Sequence, residues 1–314
     1  MYPDNRQVTP KLYSETILLK DDYEGKVSSK VDYHEVDEAT SAVIYIHGYM
    51  DYFFQTHLAA FFINKGISFY AVELRKYGSS LCEHHHPNFC KDVQEYYEEI
   101  SAVIHKAKAK GHKKIILHGH STGGLIATHY LLHSQDKKLV SAVILNSPFF
   151  AFNTNKTTKS FLALIIPLGK ILPYLKVTKL PSLYTESLHK DYKGRWDFNL
   201  VYKPVPSFIT YLGWMRAILK AQKEIYSEKI TEIPALVLHS NRSYTKTEWS
   251  DEVLRADAVL NIEDIQRYSK QIYQDVTVTA IENAVHDIVL SSDAVINNYF
   301  TEIDAWLEKN KNLL

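Results

Sequence analysis

Short apolar segments alternate with longer amphipathic segments along most of the chain. The apolar segments are rich in β-branched residues and apolar on both faces, as strands of a buried parallel sheet require. They predict strands over residues 42–48, 67–74, 114–120, 140–146, 235–240 and 276–281. Helical patterns lie between them over residues 57–66, 92–111, 122–135, 262–272 and 294–310. The alternation predicts an α/β fold with a mostly parallel central sheet flanked by helices.

Local signals refine the ends of these elements. Gly66 and Gly111 follow two helical patterns at the position where a glycine closes a helix. Asn261 precedes another helical pattern and is expected to cap it. Residues 15–36 are expected to form an antiparallel hairpin at the edge of the sheet.

The alternation breaks between residues 149 and 225, where short apolar helical patterns are interrupted by prolines and no strand pattern is present. We expect this segment to be a helical cap inserted over one end of the sheet. Residues 1–148 and 226–314 would then form the α/β core. The competing interpretation is a second helical layer.

Composition excludes several classes of protein. The chain has 36 Lys and Arg residues against 36 Asp and Glu residues, and this zero net charge argues against a general nucleic-acid binder. The longest apolar stretch, residues 161–175, is too short and too interrupted for a membrane span. Two cysteines cannot form a disulfide framework, and the first residues lack a signal-peptide pattern. These features favour a cytoplasmic protein without an integral membrane segment.

The sequence Gly119-His120-Ser121-Thr122-Gly123 lies between a predicted strand and a predicted helix. A serine at such a sharp turn adopts a strained backbone, and glycines two residues away on either side avoid collisions. The turn lifts the hydroxyl above the sheet and points the helix N-terminus at the reacting group. The pattern therefore nominates Ser121 as a nucleophile, with His120 packing beside it.

An earlier loop begins with His47-Gly48-Tyr49, at the end of the first parallel strand. Acyl transfer needs backbone N–H donors directed at the developing oxyanion, one after the nucleophile and one from this loop. The two donors expected are the amides of Tyr49 and Thr122. A plain turn at the end of a strand is the competing interpretation.

His286 follows the last predicted strand, at the sheet edge where the serine loop also lies, and is the candidate general base. The loop after the strand at 235–240 has Ser243 where an acid is expected. Asp257, just before the Asn261-capped helix, is the preferred acid. Asp251, in a predicted short extra helix, is the alternative.

The segments HGYMDYFF, ELRKYGSS, GHSTGG and AVHDIVLS, in this order, resemble the α/β-hydrolase superfamily. More narrowly, they resemble the serine hydrolases related to monoglyceride lipases and lysophospholipases, in the serine aminopeptidase S33 group. The resemblance covers residues 40–310 and implies an α/β-hydrolase fold and a carboxylester hydrolase that uses Ser121 and His286. The family acid usually follows its strand within a few residues, so this chain departs from the family there.

The segment from Cys82 to Cys90 contains three consecutive histidines but matches no zinc-ligand spacing, so we expect no metal. No organic cofactor is expected either. Aromatic residues of the predicted cap are candidates for an acyl pocket, with packing inside the cap as the competing role. These residues are Phe149, Phe150, Phe152, Trp196, Phe208, Tyr211 and Trp214.

The function expected is hydrolysis of a small or lipid-like ester through Ser121, His286 and Asp257 and a covalent acyl-enzyme. One alternative is a non-catalytic binding protein on a hydrolase scaffold, which the serine at position 243 favours. Another is an enzyme of the same fold that hydrolyses amide or C–C bonds.

Overall fold

The computed structural model describes residues 10–153, 165–179 and 182–311. A sheet of eight strands forms its centre. The strands of this sheet are β1 (Tyr13–Leu18), β2 (Ser28–His34), β3 (Ser41–Ile46), β4 (Ser68–Glu73), β5 (Lys114–His120), β6 (Ala142–Asn146), β9 (Ala235–Ser240) and β10 (Val276–Ile281). Their order across the sheet is β1-β2-β4-β3-β5-β6-β9-β10. From β4 to β10 every neighbouring pair is parallel. The predicted strands and the mostly parallel sheet are confirmed.

The predicted hairpin at residues 15–36 is also confirmed. β1 pairs antiparallel with β2, and β2 pairs antiparallel with β4, so the hairpin forms one edge of the sheet. Edge strand β1 alternates between exposed and half-buried positions. The central strand β3 is buried at every position, as its continuous apolar sequence requires.

Seven α-helices are present in the described ranges. They are α1 (Thr56–Ile63), α2 (Tyr97–Ala109), α3 (Thr122–His133), α4 (Leu183–Leu188), α5 (Leu212–Ile225), α6 (Ile262–Ile272) and α7 (Asp293–Lys309). Gly66 and Gly111 have positive φ angles, +76° and +96°, where they close α1 and α2. The Asn261 side chain accepts a hydrogen bond from the amide of Glu263 and caps α6.

The helices cover both faces of the sheet. On one face, α1 and α7 pack against strand residues such as Tyr45 and Leu238. On the other, α2, α3, α5 and α6 pack against residues such as Ile44 and Val237. The molecule therefore has three layers with a hydrophobic core on each side of the sheet. Among the helices of the described ranges, none is both long and apolar enough to cross a membrane.

The segment from 149 to 225 contributes no strand to the large sheet in its described part. It contains α4, α5 and a small antiparallel ladder of β7 (Lys176–Lys179) and β8 (Ile209–Tyr211). The expectation that this segment has no strands is wrong. All four residues of β7 are exposed, so no pattern of apolar positions marks the strand in the sequence. Residues 154–164 of the expected cap lie outside the described residues.

Candidate active site

Ser121 lies between β5 and α3 with a φ angle of +52°, a region that is costly for a residue with a side chain. A Cβ atom added to Gly123 would lie 2.2 Å from the carbonyl oxygen of Ile46. One added to Gly119 would lie 2.7 Å from the carbonyl oxygen of Gly123. Glycine is therefore needed on both sides of the serine, as the sequence predicts.

The structure brings Ser121, His286 and Asp257 together. His286 Nε2 lies 2.9 Å from Ser121 Oγ, and His286 Nδ1 lies 2.8 Å from Asp257 Oδ2. The exposed fractions are only 7% for Ser121, 3% for His286 and 0% for Asp257, so water competes little for these contacts. A carboxylate can only accept, so Nδ1–H donates to Asp257 and Nε2 is left to accept the serine hydroxyl proton.

Asp257 is itself held by the backbone. Its other oxygen, Oδ1, accepts hydrogen bonds of 2.8 Å from the amides of Val259 and Leu260. These two donors satisfy a fully buried carboxylate and fix its orientation toward His286. Asp251, the alternative acid, is exposed on the 3₁₀ helix Asp251–Arg255 and is not brought to His286.

Asp257 lies beside Ser243, the position at which the sequence leads us to expect the acid. The amide of Tyr244 donates to the carbonyl of Asp257 at 2.7 Å, and the amide of Asp257 donates to the carbonyl of Arg242 at 3.0 Å. Ser243 and Asp257 are thus partners in a parallel bridge. The chain runs on from β9 to residue 244, then forms a loop over residues 245–256 and returns beside Ser243 at Asp257.

Ser243 has a structural role next to this acid. Its Oγ donates to the carbonyl of Leu260 at 2.9 Å and accepts from the amide of Ile262 at 2.9 Å. Tyr244, Val253 and Ala256 form a small apolar cluster inside the loop between residues 244 and 257. The hydroxyl and the cluster hold the returning segment against the end of β9.

The two expected oxyanion donors flank the serine. Thr122 is the first residue of α3, and neither its amide nor that of Tyr49 has a hydrogen-bond partner within the described part of the chain. A Cβ atom on Gly48 would lie 3.2 Å from the Cβ of Ser121, so the loop passes close to the nucleophile. Stabilising a developing oxyanion needs two such donors beside the nucleophile, so the roles of Tyr49 and Thr122 stay predictions.

His47 fixes this loop from inside the protein. Its Nδ1–H donates to the carbonyl of Gly48 at 2.8 Å, and its Nε2 accepts from the amide of Leu74 at 3.0 Å. Burial lowers the pKa of His47, which keeps the imidazole neutral and able to accept that second bond.

Beneath the serine, His120 lies beside His286 with ring centroids 5.0 Å apart, and its Nδ1–H donates to the carbonyl of Asn146 at 3.2 Å. Burial lowers the pKa of His120.

Asp287, fully buried, accepts from Asn146 Nδ2 at 2.7 Å and from Gln55 Nε2 at 3.1 Å. Asp287 is not predicted from the sequence, where its position directly after His286 is the only signal for it.

Lys203 was also missed. Its Nζ lies 2.7 Å from Asp51 Oδ1, and the two side chains are 5% and 1% exposed. Burial raises the pKa of Asp51, but Lys203 and then His120 lower it below its ordinary value. The pair joins the segment 149–225 to the loop that carries Tyr49. No sequence spacing connects residues 152 positions apart.

Two aromatic residues of the segment 149–225 lie beside the site. The Tyr184 ring meets the His286 ring edge-on at 5.4 Å, and the Trp214 ring packs on the Tyr49 ring at 4.1 Å. Tyr184 is not among the aromatic residues predicted from the sequence. Of the predicted ones, Phe150, Tyr211 and Trp214 are buried, and Phe149, Phe152, Trp196 and Phe208 are half-buried. A cleft of about 620 Å³ is lined by Phe152, Ile166, Leu219 and neighbouring residues, and Ser121 is absent from its described lining.

The three histidines between Cys82 and Cys90 hold the surrounding loops together, His84 and His85 through backbone groups and His86 through Glu24, whose Oε1 lies 2.7 Å from His86 Nδ1. His84 Nε2 and His85 Nε2 both bond the carbonyl of Lys26, at 3.2 and 3.0 Å, and His85 Nδ1 accepts from the amide of Cys82. Cys82, His84 and His85 still lie close enough together to be considered as metal ligands. Both ring nitrogens of His85 and Nε2 of His84 already bond backbone groups, which is a structural role.

The profile of one protein family, described as serine aminopeptidase S33, matches residues 37–293. The chain belongs to this family. It is therefore an α/β-hydrolase of the S33 family, the group that the segments from HGYMDYFF to AVHDIVLS resemble. A search of curated proteins by sequence found no match.

Solved structures show the same fold as this S33 family member. A soluble variant of the Saccharomyces cerevisiae monoglyceride lipase, in complex with a substrate analogue, has a TM-score of 0.72 at 17% identity, with 98% of each chain covered. The Paleococcus ferrophilus monoacylglycerol lipase has a TM-score of 0.62 at 18% identity, covering 95% of this chain and 98% of its own. The Exiguobacterium antarcticum esterase has a TM-score of 0.58 at 16% identity, covering 93% and 99%.

Proposed function

We propose that this hydrolase is a serine carboxylester hydrolase. The observation that carries the proposal is the continuous hydrogen-bonded path from Asp257 through His286 to Ser121. A serine hydroxyl is a weak nucleophile at neutral pH and needs a base within hydrogen-bonding distance. The buried His286, oriented by a buried carboxylate, supplies that base.

In the proposed reaction, Ser121 Oγ attacks the ester carbonyl carbon while its proton moves to His286 Nε2. The negative charge on the carbonyl oxygen is stabilised by the amides of Tyr49 and Thr122. His286 then gives the proton to the leaving alcohol, and the acyl group stays on Ser121. A water molecule that loses a proton to His286 releases the acid and restores the serine.

We propose that residues 149–225 form a cap over this site and that the substrate is a small or lipid-like ester. Tyr184 and Trp214 place aromatic surface next to His286 and Tyr49, which suits an acyl chain. The similar structures from yeast and Paleococcus are monoglyceride and monoacylglycerol lipases, and they support the same substrate class.

The alternative of a non-catalytic binding protein depends on the serine at position 243. Because Asp257 lies beside Ser243 in the bridge, that serine no longer favours the alternative. A p-nitrophenyl ester panel of increasing chain length, run beside amide and diketone substrates, would separate ester hydrolysis from amide and C–C bond hydrolysis.

Replacing Ser121 with alanine is expected to reduce p-nitrophenyl butyrate turnover by at least about 10⁴-fold, because the acyl-enzyme cannot form. The folded state should survive, since alanine removes only the hydroxyl. Initial rates and a thermal unfolding curve check both statements. Turnover within tenfold of the unsubstituted protein would exclude Ser121 as the nucleophile.

Asp257→Asn should lower kcat by about 10³- to 10⁴-fold, because an amide donates to Nδ1 and holds His286 in the wrong tautomer. Asp251→Asn is the matched control and should change kcat by less than about twofold, because Asp251 is exposed. Steady-state kinetics with one ester measure both. A larger loss in the Asp251 variant would reassign the acid.

The bridge between Ser243 and Asp257 predicts that an acid at either position can orient His286. Adding Ser243→Asp to Asp257→Asn should raise kcat at least about tenfold above the single variant, since restoring the tautomer recovers part of the loss. Ser243→Asn in the same background is the control and should give no gain. Equal rates for the two double variants would refute this account of the acid.

A further inference from the structure

Two histidines one helical turn apart, His129 and His133, lie on the same face of α3 and approach Glu224 of α5. His129 Nε2 is 2.8 Å from Glu224 Oε2, and the two imidazole rings are 4.5 Å apart. One ligand atom from each of the three residues lies within 4.8 Å of the other two. Two imidazoles and a carboxylate at this spacing are a common set of zinc ligands.

The hydroxyl of Tyr97 determines which nitrogen of His129 is available. It lies 2.8 Å from the His129 carbonyl oxygen and 2.6 Å from His129 Nδ1. When the phenolic proton goes to the carbonyl, the phenolic oxygen accepts from Nδ1–H, and this is the tautomer that a metal on Nε2 requires. In the resulting tautomer the lone pair on Nε2 faces the Glu224 carboxylate.

At 2.8 Å, His129 Nε2 and Glu224 Oε2 share a proton in the metal-free protein, and a bound cation would replace that proton. Tyr97 is the outer partner that a metal-bound histidine normally has. The ion pair between Glu224 and Lys220 is weaker. Lys220 Nζ lies 3.6 Å from Glu224 Oε1, and Lys220 also pairs with Asp92.

His133 provides the third ligand. Its ring is exposed, and within the described ranges no hydrogen bond or ion pair engages its nitrogens. It is also the last residue of α3, where the helix carbonyls favour a cation. His85 differs in this respect, because backbone groups already occupy both of its ring nitrogens, and Nε2 of His84 is likewise occupied.

We propose that His129, His133 and Glu224 bind one zinc ion, with water as the fourth ligand. Nitrogen ligands favour Zn²⁺ over Mg²⁺ or Ca²⁺. The site is separate from the proposed catalytic machinery, because eight helical residues place His129 about 12 Å from Ser121 along α3. Zinc at this site would connect the helix that follows the serine to α5 and stabilise the folded protein.

The test uses the full chain without a histidine tag, treated with a chelator and then titrated with ZnCl₂ in a calorimeter. We expect one Zn²⁺ per chain and a thermal unfolding midpoint that rises by several degrees at saturation. Co²⁺ should give visible absorption bands of a nitrogen- and oxygen-ligated site. Absence of stoichiometric binding of both metals would overturn the proposal.

Variants locate the site. His133→Ala, at an exposed position, should keep the fold and weaken Zn²⁺ binding at least about 100-fold, whereas Tyr97→Phe should weaken it about 10- to 100-fold. The control is a variant combining Cys82→Ser with His84→Ala, which should bind like the unsubstituted protein. Unchanged binding in His133→Ala, or loss in the control alone, would contradict the assignment.

Discussion

The backbone of Ser121 is the constraint on which the site depends. A positive φ angle at a residue with a side chain is unfavourable, and the surrounding structure maintains it. Strand β5 and helix α3 are buried almost throughout, and Gly119 and Gly123 allow the strand, the helix and the loop after β3 to meet without collision. As a result the hydroxyl is held 2.9 Å from His286 Nε2.

The parallel sheet explains why distant segments meet there. Parallel strands end at the same edge, so the loops after β3, β5, β9 and β10 converge although their residues are far apart in sequence. Asp257 shows that the carboxylate can come from a residue well past the end of its strand. The chain extends the loop after β9 and returns to pair with it, so the carboxylate of Asp257 reaches His286 from a later sequence position.

Most of the fold was predictable because burial on both faces leaves a strong pattern in the sequence. Strands such as β3 and β9 are continuous apolar runs, and α6 follows its cap at Asn261. The ladder of β7 and β8 was not predictable, since exposed residues of mixed polarity form β7. The parallel bridge that brings Asp257 beside Ser243 leaves no pattern in the sequence either, although the sequence nominates the carboxylate itself.

The polar residues missed in the site share one physical property. Asp287 and Lys203 are buried and satisfied by partners from distant parts of the chain, Asn146 with Gln55 and Asp51. A sequence shows that such residues are charged, and charged residues are normally expected at the surface. Only the tertiary contacts reveal what these two residues connect. Lys203 joins the segment 149–225 to Asp51, and Asp287 joins the His286 loop to Asn146 and Gln55.

The most direct test of a serine activated by His286 is covalent labelling with a fluorophosphonate, followed by digestion and mass spectrometry. The probe reacts with a serine whose proton is removed by a neighbouring base. We expect one adduct per chain, located on Ser121, and slow or absent labelling when His286 is replaced by alanine. An unlabelled protein, or an adduct on another residue with Ser121 unmodified, would contradict it.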